Sequence, residues 1–199
     1  MYKIILISLF SFIIASSECT NGRYQDQIFD VSVEYNIQYG QNVNQTLVGS
    51  EYTDNLFMDI YLPDNDNFEE RPLIFFLFGG AFVGGSRTSW DIVSLCTNYA
   101  KMGYVAVAID YRLSQNYLFF NPNEENAYKA VLKAIHDLKA AIRYFKMNDE
   151  LYNEYRIDSN RVFAGGVSAG AIASINAGYL NYMSEIPSFL LDDFDNLGG

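Results

Sequence analysis

The chain has 199 residues, half of them hydrophobic, which is enough to bury the core of one domain. Its formal net charge of -11 and the lack of a basic patch argue against nucleic acid or an anionic membrane surface as a partner. The acidity is most simply explained by solubility.

The N-terminus has the pattern of a secretory signal peptide. Lys3 precedes an apolar run over residues 4–14, and small residues follow up to Ser17. The run is short for a membrane span, although an uncleaved anchor and a lipoprotein site at Cys19 are alternatives. We expect residues 1–17 to be removed on export to a secreted or periplasmic location, leaving residues 18–199 as the domain.

Export would place both cysteines, Cys19 and Cys96, in an oxidising compartment. A disulfide between them is therefore expected, with two free thiols as the alternative. Asn44-Gln45-Thr46 is a glycosylation sequon, which has a meaning only in a eukaryotic secretory pathway.

Two strands are predicted at the start of the domain. Alternating apolar residues from Val31 to Tyr39 indicate a half-buried antiparallel strand, and residues 56–62, ended by Pro63, indicate a second. The polar residues 40–55 between them are predicted to form a turn-like connection.

Strands and helices then alternate. Residues 73–78 and 104–109 are apolar on both faces, as central strands are, and residues 90–102 between them have a helical pattern. A longer helix is predicted from the cap Asn123 to about Lys146. Its apolar residues recur at helical spacing: Tyr128, Val131, Leu132, Ile135, Leu138, Ile142 and Phe145. The order predicts an α/β sheet that is parallel after an antiparallel start.

The most informative segment is Gly166-Val167-Ser168-Ala169-Gly170. A short strand over residues 161–164 precedes it, and a helix of small residues over 169–182 follows it. G-x-S-x-G between a strand and a helix is typical of a nucleophile elbow, which holds a serine hydroxyl in a tight, exposed turn. Gly166 and Gly170 would keep Cβ atoms out of that turn. Taken by itself, the motif could also be a glycine-rich turn without chemistry.

Several segments together resemble the α/β-hydrolase esterases and lipases, nearest the secreted carboxylesterase, feruloyl-esterase-like and hormone-sensitive-lipase-like branch. The resemblance is carried by residues 58–63, 79–85, 110–113, 137–143, 157–158 and 166–170. It covers nearly everything after the signal peptide. It implies an α/β-hydrolase fold, mostly parallel with antiparallel N-terminal strands, whose C-terminal strands are missing.

The resemblance also implies the roles of individual residues. Ser168 would be the nucleophile that cleaves a carboxylic ester through an acyl-enzyme. The backbone amides of Gly80, Ala81 and Ala169 would form the oxyanion hole, although a plain turn over the sheet edge is the alternative for the glycine loop. The implied substrate is a small-molecule or carbohydrate-linked ester, and no cofactor or metal is expected.

Two features depart from the family's pattern. Phe78 stands where the oxyanion loop usually opens with a histidine that holds the loop in place. The family's triad follows the order Ser, acid, His, but the only histidine, His136, precedes Ser168. His136 is therefore expected to be an ordinary helix residue, and the acids after Ser168 come too soon for the triad: Glu185, Asp192, Asp193 and Asp195.

We therefore expect the chain to be the N-terminal part of a longer hydrolase, nearly inert without its base and acid. A non-catalytic binding protein of the same fold and an inactive truncated gene product are the alternatives.

Three further features have structural interpretations. Asp110 and Arg112 are predicted to form a turn salt bridge rather than a catalytic pair. Asp158 is predicted to cap a turn. Trp90 and the aromatic residues within 111–120 are expected to pack in the core or a lid, with an acyl or aryl pocket as the alternative.

Overall fold

The structure is a computed structural model that describes residues 21–115, 122–180 and 182–191. The predicted signal peptide, Cys19 and the acids at 192, 193 and 195 lie outside these residues. The described strands are β1 (Val31–Gln45), β2 (Glu51–Pro63), β3 (Arg71–Leu77), β4 (Val105–Ile109) and β5 (Ile157–Gly166). The described helices are α1 (Trp90–Lys101), α2 (Glu124–Leu151) and α3 (Ala169–Tyr179), followed by 3-10 turns at Met183–Glu185 and Ser188–Leu190.

The five strands form one sheet in the order β1-β2-β4-β3-β5. β1 pairs antiparallel with β2, and β2 pairs antiparallel with β4. β3 lies between β4 and β5 and runs parallel to both. The predicted fold class, a parallel sheet after an antiparallel start, is therefore confirmed, and the carboxyl ends of β3, β4 and β5 meet at one edge.

The β1–β2 hairpin is longer than predicted. Pairing continues to Gln45 and Glu51, so only residues 46–50 form the turn. The prediction of a turn over residues 40–55 was wrong because the polar residues of these strand ends bond to one another. The Nδ2 of Asn44 donates to the Oδ2 of Asp54 at 2.9 Å and to the hydroxyl of Tyr52 at 3.2 Å.

The same contacts bear on the glycosylation sequon. Asn44 is only 2% exposed, and its Nδ2 also donates to the carbonyl oxygen of Leu113 at 3.2 Å. An asparagine held in this way is inaccessible to a glycosyl transferase in the folded domain.

A β-bulge interrupts the alternation of β1. The register shifts between Glu34 and Ile37, where Asn36 has a φ of 59°. The backbone N–H of Asn36 donates to the Oδ1 of Asp59 at 2.8 Å. The bulge turns Tyr35, which the pattern placed on the apolar face, out to 63% exposure.

The core lies between the sheet and the helices on its two faces. β3 and β4 are buried along their whole length, as predicted. Asn123 caps α2 through its side chain, which accepts a bond from the Asn126 amide at 2.8 Å. The helix passes Lys146 and ends at Leu151, where Asn153 takes a left-handed φ of 48° that terminates it.

Cys96 lies on the inner face of α1 and is completely buried. Within the described part of the chain it has no disulfide partner, and burial raises the pKa of its thiol above the usual range. Since Cys19 lies outside the described residues, the disulfide stays a prediction. No helix in the described part of the chain combines the length and apolar character that a membrane span needs.

Candidate active site

A sharp turn between β5 and α3 carries Ser168. The residue has a φ of 49° and a ψ of -115°, is exposed, and directly precedes the first residue of α3. Side chains with a Cβ atom avoid this backbone region, and holding one there costs about 1–3 kcal/mol. The surrounding structure therefore imposes a strained conformation that presents this hydroxyl to solvent.

Two glycines let the elbow pack against the end of β3. A Cβ built on Gly166 would lie 2.6 Å from the carbonyl oxygen of Leu77, and one on Gly170 would lie 2.2 Å from it. The Val167 amide donates to the same oxygen at 3.0 Å. Side chains at either glycine would push α3 away from the sheet.

The glycine loop after β3 lies beside this elbow. A Cβ built on Gly79 would be 3.2 Å from the Cβ of Ser168. Gly80, Ala81 and Phe82 have positive φ values of 131°, 52° and 62°, so the loop turns back sharply on itself. Gly80 and Ala81 are both exposed, as Ser168 is. The loop and the elbow thus present their backbones at one edge of the sheet.

A cavity of about 650 Å³ and one of about 580 Å³ flank this loop. The smaller one contains Ser168, and its walls are almost entirely apolar: Ala81, Phe82, Val83, Ala127, Val131, Ala169 and Ile172. Ala169 is the first residue of α3, so its amide has no acceptor one turn earlier in the helix. The cavity therefore combines a hydroxyl, a helix N-terminus and apolar walls.

Phe78 occupies the place where a histidine was expected. It is 1% exposed and stacks on Tyr111, with ring centroids 4.2 Å apart and an interplanar angle of 13°. Phe78 therefore extends the buried core under the loop.

The predicted salt bridge between Asp110 and Arg112 is wrong, because each residue has another partner. Asp110 pairs with Arg87. Arg112 is fully buried and pairs with Asp137 on α2 at 2.8 Å. Both charged groups are therefore satisfied by partners distant in sequence, which the spacing of Asp110 and Arg112 alone could not predict.

A buried polar network surrounds Arg112. Lys133 of α2 donates from Nζ to the Oδ1 of Asn44 at 2.6 Å. Burial, together with the positive charge of Arg112, lowers the pKa of Lys133 to about 8. The network joins the β1–β2 hairpin, the segment after β4 and α2.

Other candidate residues lie apart from the Ser168 cavity. His136 is buried on α2 and is not among the described residues that line it. Glu185 is exposed in a 3-10 turn. Trp90 is 84% exposed rather than packed in the core. The side chain of Asp158 accepts from the Asn160 amide at 2.9 Å, which confirms the predicted turn cap.

Sequence reasoning missed the helical walls of the cavity. Ala127 and Val131 come from α2, and Ile172 comes from α3. Val131 was assigned to the apolar stripe of its helix, and nothing in the local pattern separates a cavity wall from a core residue.

Comparisons with known proteins place this geometry in a family. A family model described as BD-FAE matches residues 58–196. Among solved structures, the chain resembles Thermogutta terrifontis esterase 2 phosphorylated by paraoxon, with 26% identity over 76% of this chain and 48% of that one, at a TM-score of 0.50. For the apo form of the same esterase the identity is 27% over 76% of this chain and 47% of that one, also at a TM-score of 0.50.

The chain thus spans less than half the length of these esterase chains. A search of curated proteins finds no match. The family match extends over most of the chain, and the mixed sheet agrees with the N-terminal part of the esterase fold. The chain therefore belongs to the BD-FAE family of esterases and has part of the α/β-hydrolase fold.

Proposed function

We propose that the protein is a serine esterase that cleaves carboxylic esters through an acyl-enzyme on Ser168. The observation that carries the proposal is the strained, exposed turn at Ser168, with its hydroxyl in an apolar cavity beside the glycine loop. Strain of this kind persists in proteins mainly where it has a use. Membership of an esterase family supports the same reaction.

The proposed reaction has two displacements. The Oγ of Ser168 attacks the carbonyl carbon of the ester, and its proton passes to a general base. The amides of Gly80, Ala81 and Ala169 bind the oxyanion, and the alcohol leaves with that proton. Water then attacks the acyl-enzyme in the same way, releasing the carboxylic acid and restoring the serine hydroxyl.

We assign the base and its carboxylate partner to residues beyond Gly199. The position of His136, the only histidine of the chain, supports this assignment. His136 is buried on α2, and it is not among the described residues that line the Ser168 cavity. The triad order of this fold also places both residues after the nucleophile.

The cavity suggests which part of the substrate lies beside Ser168. Its apolar walls match an apolar acyl or aryl group, while the rest of a small-molecule or carbohydrate-linked ester would extend toward solvent.

Export through residues 1–17 is part of the proposal. Sequencing the N-terminus of the mature protein tests it, and retention of Met1 would contradict cleavage.

Organophosphorus labelling tests the nucleophile. A related esterase is phosphorylated by paraoxon, which supports the choice of this class of probe. The full-length protein is treated with a fluorophosphonate, and the adduct is located by mass spectrometry. We expect one adduct, on Ser168, in the folded protein and none after unfolding in urea. An unlabelled Ser168 in folded protein would remove the esterase proposal and favour a binding protein of the same fold.

A change in the cavity wall should alter the choice of ester. Ile172→Trp fills part of the cavity, so kcat/KM for a hexanoate ester should fall about tenfold or more relative to an acetate ester. The control is Ile175→Trp, one turn further along α3, which is 62% exposed and not among the described wall residues. The measurement is hydrolysis of p-nitrophenyl esters. Equal losses for both esters, or the same shift in the control, would contradict the assignment.

A further inference from the structure

We propose that residues 110–115, which follow β4, position the glycine loop of residues 79–85, the proposed oxyanion loop. They would do the work of the histidine at whose place Phe78 stands, and Tyr111 is the principal positioning residue. The inference rests on the proposed function for its catalytic consequence, but its structural content is independent of it. It is carried by hydrogen bonds at the start, the middle and the end of the loop.

Tyr111 holds the start of the loop. Its hydroxyl donates to the carbonyl oxygen of Phe78 at 2.8 Å, and its ring stacks on the Phe78 ring. Tyr111 is only 3% exposed, and burial raises the pKa of its phenol above the usual range, so that the hydroxyl stays protonated and remains a donor. The bond fixes the peptide plane directly before Gly79.

The middle of the loop is held by the next residues of the same segment. The backbone amide of Ser114 donates to the carbonyl oxygen of Phe82 at 2.7 Å. The Nε2 of Gln115 donates to the carbonyl oxygen of Val83 at 2.8 Å. Phe82 has a positive φ of 62°, which is unfavourable for a bulky residue, and these bonds oppose its relaxation.

Arg87, just after the loop, is anchored through Asp110. Its backbone amide donates to the Oδ1 of Asp110 at 2.9 Å, and its guanidinium contacts the other carboxylate oxygen. The guanidinium also donates to the Oδ1 of Asp59 on β2 at 3.0 Å. Burial alone would lower the pKa of Arg87, but its hydrogen bond to Asp59 and the negative charge of Asp110 raise it, so the guanidinium remains charged.

The segment that supplies these bonds is itself rigidly supported. The Asp110 amide donates to the carbonyl oxygen of Phe57 on β2 at 2.9 Å, and Tyr39 of β1 donates to the Asp110 carbonyl at 2.5 Å. Arg112 pairs with Asp137 on α2. The loop is thereby tied to β1, β2 and α2.

Such support has a catalytic consequence. Oxyanion donors are effective when they are already aimed at the developing charge, because no reorganisation is then needed during the reaction. Tyr111 contacts no reacting atom, so its effect on the amides of Gly80 and Ala81 passes through the Phe78 carbonyl. Losing this bond should lower kcat more than it alters KM.

The test uses Tyr111→Phe in the full-length protein, which removes the hydroxyl and leaves the stacked ring. Hydrogen exchange of the amides of residues 79–85 should accelerate about tenfold. The kcat for p-nitrophenyl esters should fall about 10- to 100-fold, with a much smaller change in KM. The matched control is Tyr155→Phe, since Tyr155 is equally buried and its hydroxyl donates to Glu34 at 3.2 Å, away from the loop. The control should leave both the exchange of residues 79–85 and the kcat unchanged.

The two readouts separate this inference from the proposed function. If the wild-type protein neither hydrolyses esters nor reacts with the probe, the proposed function fails, and loop exchange still decides whether Tyr111 holds the loop. Unchanged exchange over residues 79–85 in Tyr111→Phe would overturn the inference, even in an active enzyme. Equal losses in Tyr111→Phe and Tyr155→Phe would overturn it as well, because they would indicate general destabilisation.

Discussion

Replacing Ser168 with alanine or glycine should lower the kcat for ester hydrolysis about 10⁶-fold, as loss of a triad serine does elsewhere. The two variants should differ in stability. Ser168 has a φ of 49° and a ψ of -115°, which glycine adopts without the steric penalty that alanine retains. The free energy of unfolding of Ser168→Gly should therefore be about 1 kcal/mol higher than that of Ser168→Ala.

Steady-state hydrolysis and urea unfolding of the full-length variants measure these effects. Ser188→Ala is the control, because Ser188 is exposed in a 3-10 turn and lies outside the described lining of the Ser168 cavity. It should leave both quantities unchanged. Appreciable activity in either Ser168 variant would contradict the assigned nucleophile. Equal stability of the two would show that the turn is not strained.

Alanine at Gly170 should lower the free energy of unfolding by about 3 kcal/mol and abolish labelling of Ser168. Helix propensity alone predicts the opposite sign, because alanine in a helix is favoured over glycine by about 1 kcal/mol. Packing decides the outcome: the new Cβ would lie 2.2 Å from the Leu77 carbonyl oxygen and 2.6 Å from that of Phe78. Both oxygens belong to the backbone at the end of β3, which cannot yield without moving the oxyanion loop.

Gly178→Ala is the matched control within the same helix. A Cβ at Gly178 meets no described atom within 4 Å, so this substitution should raise stability by up to about 1 kcal/mol. Thermal or urea unfolding of both variants gives the comparison. A neutral or stabilising Gly170→Ala would mean that α3 can shift away from β3 at little cost. That result would contradict the close packing of the elbow against the end of β3.

Much of the fold could be predicted from the sequence because strands, helix starts and sharp turns leave patterns among neighbouring residues. The doubly apolar runs of β3 and β4 mark central strands, and Asn123 marks the start of α2. The glycine spacing around Ser168 predicts a sharp turn, since only glycine tolerates the close approach to Leu77. The hairpin of β1 and β2 was underestimated because its polar side chains, such as Asn44, are satisfied by partners distant in sequence.

The sequence by itself determined the order of strands and helices, the glycine positions and the serine between them, because backbone preference and apolar periodicity depend on near neighbours. Only the tertiary structure decided which charged groups pair, that Phe78 stacks on Tyr111, and that Val131 of α2 lines the cavity beside Ser168. Those contacts join residues far apart in the chain, and their geometry exists only once the sheet has brought the strand ends together.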